Sequence, residues 1–161
     1  GIAGHTAASF LRRWLPEEHE VVVVSPRPDY NWVPSNIWVG VGLMRPDQVL
    51  APLAPIYERH GIEFYQARAL ALHPEGGADS PRPFVDIEYT AGLRRGWRER
   101  LPYDYLVNAT GPKLDFDATT GLGPEHHSLS VCTADHAAGA SAALDERVER
   151  HFESEQLLRW Q

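Results

Sequence analysis

The sequence predicts an α/β fold in which a parallel sheet carries an inserted antiparallel β-meander. Three observations predict it. A glycine-opened amphipathic helix starts the chain, an unbroken run of valines follows, and short strand-like segments parted by turn residues fill residues 67–103. In the helix, Ala7, Phe10, Leu11, Trp14 and Leu15 recur at helical spacing. Arg12 and Arg13 suit the negative end of the helix dipole, and Pro16 stops it. Val21, Val22, Val23 and Val24 show no polar alternation, the pattern of a parallel strand covered on both faces, and Pro26 and Pro28 end it.

Residues 26–46 read as a long irregular stretch, yet one rich in aromatic and aliphatic side chains. A loop this apolar is expected to be buried against core or cofactor. Residues 47–60 show helical periodicity through Val49, Leu50, Leu53, Ile56 and Tyr57, with Gly61 as the cap and a short strand over 62–65. In the meander, residues 69–72 and 84–89 read as strands, and 75–81 and 91–93 as turns. Residues 103–109 read as a strand running into Thr110-Gly111-Pro112-Lys113, and 114–130 as loop. From Thr133 to about Trp160, Ala134, Ala137, Ala138, Ala142, Leu144 and Val148 set a helical pattern.

The 161 residues suffice for one domain with a real core. A net charge of −7 gives no electrostatic support to nucleic-acid binding. The single cysteine, Cys132, has no internal disulfide partner, so the redox compartment stays open. The eight histidines lack ligand spacing, so no metal site is expected, and His126-His127 reads as a solvated loop pair. No apolar run is long enough to span a membrane. The first residue is not Met, so the chain is expected to be cut at its start, with any targeting segment cut away too.

Four segments carry chemistry. A dinucleotide fingerprint needs a strand, glycines spaced G-x-G-x-x-G and a helix, so that backbone N–H groups approach a pyrophosphate at the helix N-terminus. Gly1 and Gly4 match its last part, and the helix and valine run supply the αβ half of a Rossmann-like unit. Ser25 ends the valine strand, where a ribose-binding carboxylate is usual; this weakens a simple NAD reading. Ala109-Thr110-Gly111 is a small-residue turn that lets the chain pass close to a flat cofactor, though the tripeptide alone means only a turn. Cys132 has two readings: a buried, inert thiol at a helix start, or a nucleophile activated by the helix N-terminus. His136, four residues on, would lie one turn along the same face and could exchange a proton there; a plain packing or surface histidine is its other reading.

Together, Gly1-Ile2-Ala3-Gly4, Val33-Pro34-Ser35-Asn36-Ile37-Trp38-Val39-Gly40-Val41-Gly42, Tyr103-Asp104-Tyr105-Leu106 with Ala109-Thr110-Gly111-Pro112-Lys113, and Cys132-Thr133-Ala134-Asp135-His136 resemble the sulfide:quinone oxidoreductases. These belong to the two-domain flavin disulfide-reductase superfamily. The glycine turn and Ala-Thr-Gly are common to that superfamily, whereas the Pro-Ser-Asn loop and the Cys-Thr-x-Asp-His segment are much more specific. The resemblance covers roughly residues 1–145 and implies FAD as the cofactor. By this resemblance Gly1 and Gly4 approach the pyrophosphate and Ser25 stands at the ribose. Ala69 approaches the adenine, Pro34, Ser35 and Asn36 line the flavin side, and Thr110 and Gly111 pass on its other side. Cys132 matches the first of the family's three cysteines, and His136 a histidine with an acid–base role. The implied reaction oxidises sulfide to sulfane sulfur or polysulfide and passes two electrons to a quinone.

The resemblance further implies a partial FAD-binding Rossmann-like domain over 1–132, lacking its first strand. A helical segment over 133–161 would lead toward a second dinucleotide-binding domain. The other two cysteines, the quinone site and the contact with a membrane surface would lie downstream, so the full-length protein is expected at a membrane periphery and this fragment is expected to be soluble and not to turn over by itself. The tail 149–161 does not resemble the family's continuation. A homo-oligomer is left open. Two other enzymes share much of this pattern: the flavoprotein of flavocytochrome c sulfide dehydrogenase, and type II NADH dehydrogenase. From another class, an inactive nucleotide-binding remnant also fits a clipped glycine turn.

Overall fold

A computed structural model describes residues 1–159, with no side-chain description beyond 153; the end of the predicted last helix, at Trp160, lies outside the described residues. The chain divides into two compact units, residues 1–30 with 52–111, and 31–51 with the part from 112 on.

In the first unit, helix α1 (Ile2–Trp14) starts at the glycine turn. It ends as expected: Leu15 leaves helical geometry, and the Arg12 guanidinium donates to the carbonyl of this cap residue and to those of Pro16 and His19 in the turn beyond. The valine run forms β1 (Val22–Ser25), which pairs in parallel with β4 (Glu63–His73), from Val22 opposite Glu63 to Ser25 opposite Gln66. Coverage of β1 is less complete than four consecutive valines suggest. Val23 packs on a cluster built from Ala8, Val21, Leu53, Tyr57 and Ile62, and Val24 on one built from Ala67, Val85, Ile87 and Tyr89, but Val22 is exposed.

The expected meander is present, in the order β1-β4-β5-β6, with β5 (Phe84–Tyr89) and β6 (Arg98–Pro102) antiparallel. One correction concerns β4. The segments expected as two strands, 62–65 and 69–72, are one strand that changes partner: its first half pairs with β1, its second with β5, with an irregularity between Ala69 and Ala71. Gln66-Ala67-Arg68 contains no turn residue, so nothing local breaks the strand.

A second correction concerns residues 47–60. A 3-10 turn (Pro46–Val49) and a short strand β3 (Leu50–Pro52) precede helix α3 (Leu53–Arg59). A helix begun at 47 would bury the missing N–H of Pro52 in its interior, whereas a start at Leu53 places Pro55 in the first turn, where no N–H is needed. Gly61 does cap α3, with φ +65 and its N–H donating to the Glu58 carbonyl at 3.2 Å. A third correction concerns residues 103–109, which form no strand: Tyr105 and Val107 are exposed and no described strand pairs with them. Strand propensity needs a neighbouring ladder to become a strand.

The stretch 26–46 is more ordered than expected. It holds β2 (Asp29–Asn31), which forms a two-stranded sheet with β3, a 3-10 turn (Val33–Ser35) and helix α2 (Asn36–Gly40). Its burial is selective: Asn36, Val39 and Gly40 are buried, while Trp32, Ile37, Trp38 and Leu43 are exposed. In the second unit, α2 packs on α4 (Ala134–Arg159) through a core of Val39, Val49, Ala134 and Ala137. A Cβ on Gly40 would stand 2.9 Å from Val131 Cγ1, so the glycine is what lets the Val131 side chain lie against α2; toward Ala140 on α4 it would make only ordinary contact, at 4.0 Å. Gly42, at φ +74, supplies the left-handed residue that ends α2. Among the described residues no helix is long and apolar enough to cross a membrane.

Candidate functional site

In the first unit the expected binding residues gather at the start of α1 and the end of β1. The first intrahelical bond of α1 runs from the His5 N–H to the Gly1 carbonyl at 3.1 Å. No side chain caps Gly1 and the first turn carries no acidic residue, so the amides of Ile2, Ala3 and Gly4 are open to an anion. The two glycines differ in what they require. A Cβ on Gly4 would lie 3.2 Å from the Ala109 Cβ, so Gly4 admits the Ala109-Thr110-Gly111 segment against the helix; a Cβ on Gly1 would meet nothing within 4 Å. Thr110 donates through both N–H and hydroxyl to Asn108 Oδ1, and Gly111 turns the chain at φ +71.

Ser25 sits at the carboxyl end of β1, and its hydroxyl closes a small turn by bonding the backbone of Arg27. Level with it on β4 is Gln66; Ala69 lies three residues further on, exposed, where the β4–β5 register slips. Thr90, which sequence reasoning missed, donates to both the Pro26 and Gln66 carbonyls and pins the end of the parallel pair. His5 was missed too. Its Nδ1 is 3.3 Å from the Tyr57 hydroxyl and its ring lies 5.1 Å from that of Tyr30. Burial holds its imidazole below the ordinary value, with the amino terminus and His60 adding to the effect.

The second unit brings Pro34, Ser35, Asn36, Cys132 and His136 into one compact body. Asn36 is wholly buried, and its side chain is used within the protein. Its Nδ2 donates to Asn31 Oδ1 at 3.0 Å and to the Val131 carbonyl at 3.0 Å, while its Oδ1 accepts from Asn31 Nδ2 at 2.9 Å. Pro34 and Ser35 are the members of this loop with surface to offer a ligand.

Cys132 is exposed, so it is not the buried thiol that one reading expected. It is also not on the helix: α4 begins at Ala134, Thr133 Oγ1 accepts the His136 N–H at 3.1 Å, and the Thr133 carbonyl accepts the Ala137 N–H at 3.0 Å. The expectation that Cys132 and His136 share a helical face is therefore corrected, because Thr133 caps the helix between them, and no hydrogen bond joins the two among the described residues. His136 lies edge-on to Phe116, with 6.3 Å between ring centroids, and its Nδ1 is buried without a partner. Among the described residues no group of acidic, histidine and cysteine side chains could hold a metal ion.

Comparison with known proteins agrees with the resemblance. No family model matches the chain. A sulfide-quinone reductase of Aquifex aeolicus is 32% identical over 146 residues, which is 91% of this chain and 30% of that protein. The chain is a homologue of sulfide-quinone reductase. The X-ray structure of the sulfide:quinone oxidoreductase from the same hyperthermophilic bacterium superposes with a TM-score of 0.67 at 28% identity, covering 89% of this chain and 29% of that one. The α/β fold with its mixed sheet is thus the one expected from sequence. An external alternative NAD(P)H-ubiquinone oxidoreductase B1 of Solanum tuberosum mitochondria is 29% identical over 128 residues, 78% of this chain and 22% of that protein. Both relatives are oxidoreductases, and the chain spans less than a third of the length of either.

Asn31, Gly40 and Thr133, whose roles the sequence did not signal, support the second unit from within. An asparagine five residues before Asn36 carries no sequence signal of pairing, because the pairing depends on the turn between them.

Proposed function

We propose that this chain is the FAD-binding front part of a flavoprotein that oxidises sulfide to sulfane sulfur or polysulfide and passes the electrons to a quinone at a membrane surface. The observation that carries the reading is the similarity to sulfide-quinone reductase across 91% of the chain, in a molecule whose one thiol is exposed. The residues present fit a dinucleotide. Three amides at the start of α1 are open to a pyrophosphate, and a glycine stands where a Cβ would press on Ala109. The Ser25 hydroxyl, at the end of β1, would meet a ribose by exchanging its bonds to the Arg27 backbone, and Thr110 and Gly111 supply a small-residue turn beside Gly4. FAD, when bound, supplies the two-electron chemistry that side chains lack. Cys132 acts as the thiolate that takes up or hands on sulfane sulfur, a role that needs access to solvent and to sulfide. His136 holds or moves a proton through its unpartnered Nδ1.

The similarity to the potato enzyme favours a second reading, in which NAD(P)H is the electron source. One experiment separates them. The protein at the length its gene encodes is purified with FAD, and sulfide or NADH is added without air. Sulfide is expected to bleach the flavin and a quinone to restore it. Bleaching by NADH with no response to sulfide assigns the second reading, and failure to hold FAD overturns both.

A further inference from the structure

We propose that Asn36 and Gly40 are positioning residues for Cys132: α2 holds the peptide that enters the cysteine, while α4 holds Thr133, the residue that follows it. The inference rests on the reading of Cys132 as a sulfur-handling thiol, but its geometry stands apart from that reading. The Val131 carbonyl accepts from Asn36 Nδ2 at 3.0 Å. Because a peptide unit is planar, that bond also sets the nitrogen and Cα of Cys132. Asn36 is itself locked, since its amide is paired head to tail with that of Asn31, whose Nδ2 also donates to the Val49 carbonyl at 3.3 Å. Gly40 adds a steric limit, because Val131 Cγ1 would come within 2.9 Å of any Cβ there. On the far side, the Thr133 hydroxyl and carbonyl are both tied into the first turn of α4. The Cys132 N–H is held by Ser130 Oγ at 3.2 Å. The thiol therefore stands exposed on a backbone anchored on both sides. A mobile thiol would sample many positions, and one held in place meets its partner at a defined distance.

This arrangement gives a second meaning to the Pro34-Ser35-Asn36 loop. Its buried amide serves the cysteine segment, from nearly one hundred residues away in the sequence, rather than meeting a ligand itself.

Cys132 is the only cysteine in the chain, so a nitroxide attached to it reports on this position alone. The wild-type chain is expected to give a spectrum with a restricted component. Asn36→Asp keeps the acceptor for Asn31 and removes the donor shared by Asn31 Oδ1 and the Val131 carbonyl, and is expected to speed nitroxide motion severalfold while cooperative unfolding persists. Gly40→Ala presses on Val131 without touching the amide pair, and is expected to change the same spectrum. A wild-type label as free as one on an unstructured peptide overturns the proposal. So does an unchanged spectrum in whichever variant remains folded. Neither result depends on activity. If Cys132→Ser in the protein at its encoded length leaves sulfide-driven flavin bleaching and quinone reduction untouched, the sulfur reading fails while the positioning of the residue stands.

Discussion

The two units reach order by different means. The first buries large side chains on both faces of a mixed sheet, with Tyr57 and Ile87 almost without exposed surface. The second packs a five-residue helix, α2, on α4 through Val39, Gly40, Ala134 and Ala137, and spends a fully buried amide on holding its loops. The difference teaches where each is vulnerable. A large-side-chain core loses stability when atoms are removed, because a cavity remains. A small-residue interface loses it when atoms are added, because a neighbouring side chain already fills the space. Gly1, Gly4, Ser25, Thr110 and Gly111, proposed for the dinucleotide, sit in the first kind of structure and the thiol in the second.

Three measurements test that contrast. The largest effect is expected at Ile87, between the meander strands: Ile87→Ala should cost about 3 kcal/mol in denaturant unfolding. A loss well under 1 kcal/mol would show that the meander is not the first unit's core. A smaller effect of opposite origin is expected in the second unit. Gly40→Ala adds one methyl and gains helix propensity, yet should destabilise by about 1–2 kcal/mol because Val131 must move. A stabilised variant would show that Val131 yields without cost.

The smallest effect is one of pH. His5 favours its neutral form in the folded state, so protonation opposes folding. Its penalty is absent above the ordinary imidazole value of 6.5, grows as the pH falls below it, and is complete once the pH is below the lowered folded value. Unfolding midpoints between pH 7 and pH 5 should therefore fall less in His5→Phe than in wild type, and parallel slopes would show that His5 is not the group responsible.

Much of the fold was legible because its signals are local. The period of α1, the valine run, the strand 84–89 and the Gly61 cap each rest on residues within a few positions of one another. The misread segments failed for different reasons, two of them nonlocal. Residues 103–109 have strand composition but no ladder partner. Residues 62–73 change partner within one strand. In residues 47–60 prolines outrank an apolar period that a strand and a helix jointly imitate. At the candidate site, Gly4 and Cys132 were found by residue type and place. Asn36 was found as well, but its work inside the protein was invisible, since both its partners are set by the path of the chain.

By itself, the sequence determined the α/β class, the glycine-opened helix, the meander and the solitary thiol, all of which follow from side-chain chemistry and short-range spacing. Only the tertiary structure decided that Cys132 is exposed and lies before the helix rather than on it, and that Asn36 and Gly40 govern Val131 beside it. Burial and hydrogen-bond partnership depend on which distant segments meet, and no local pattern encodes that meeting.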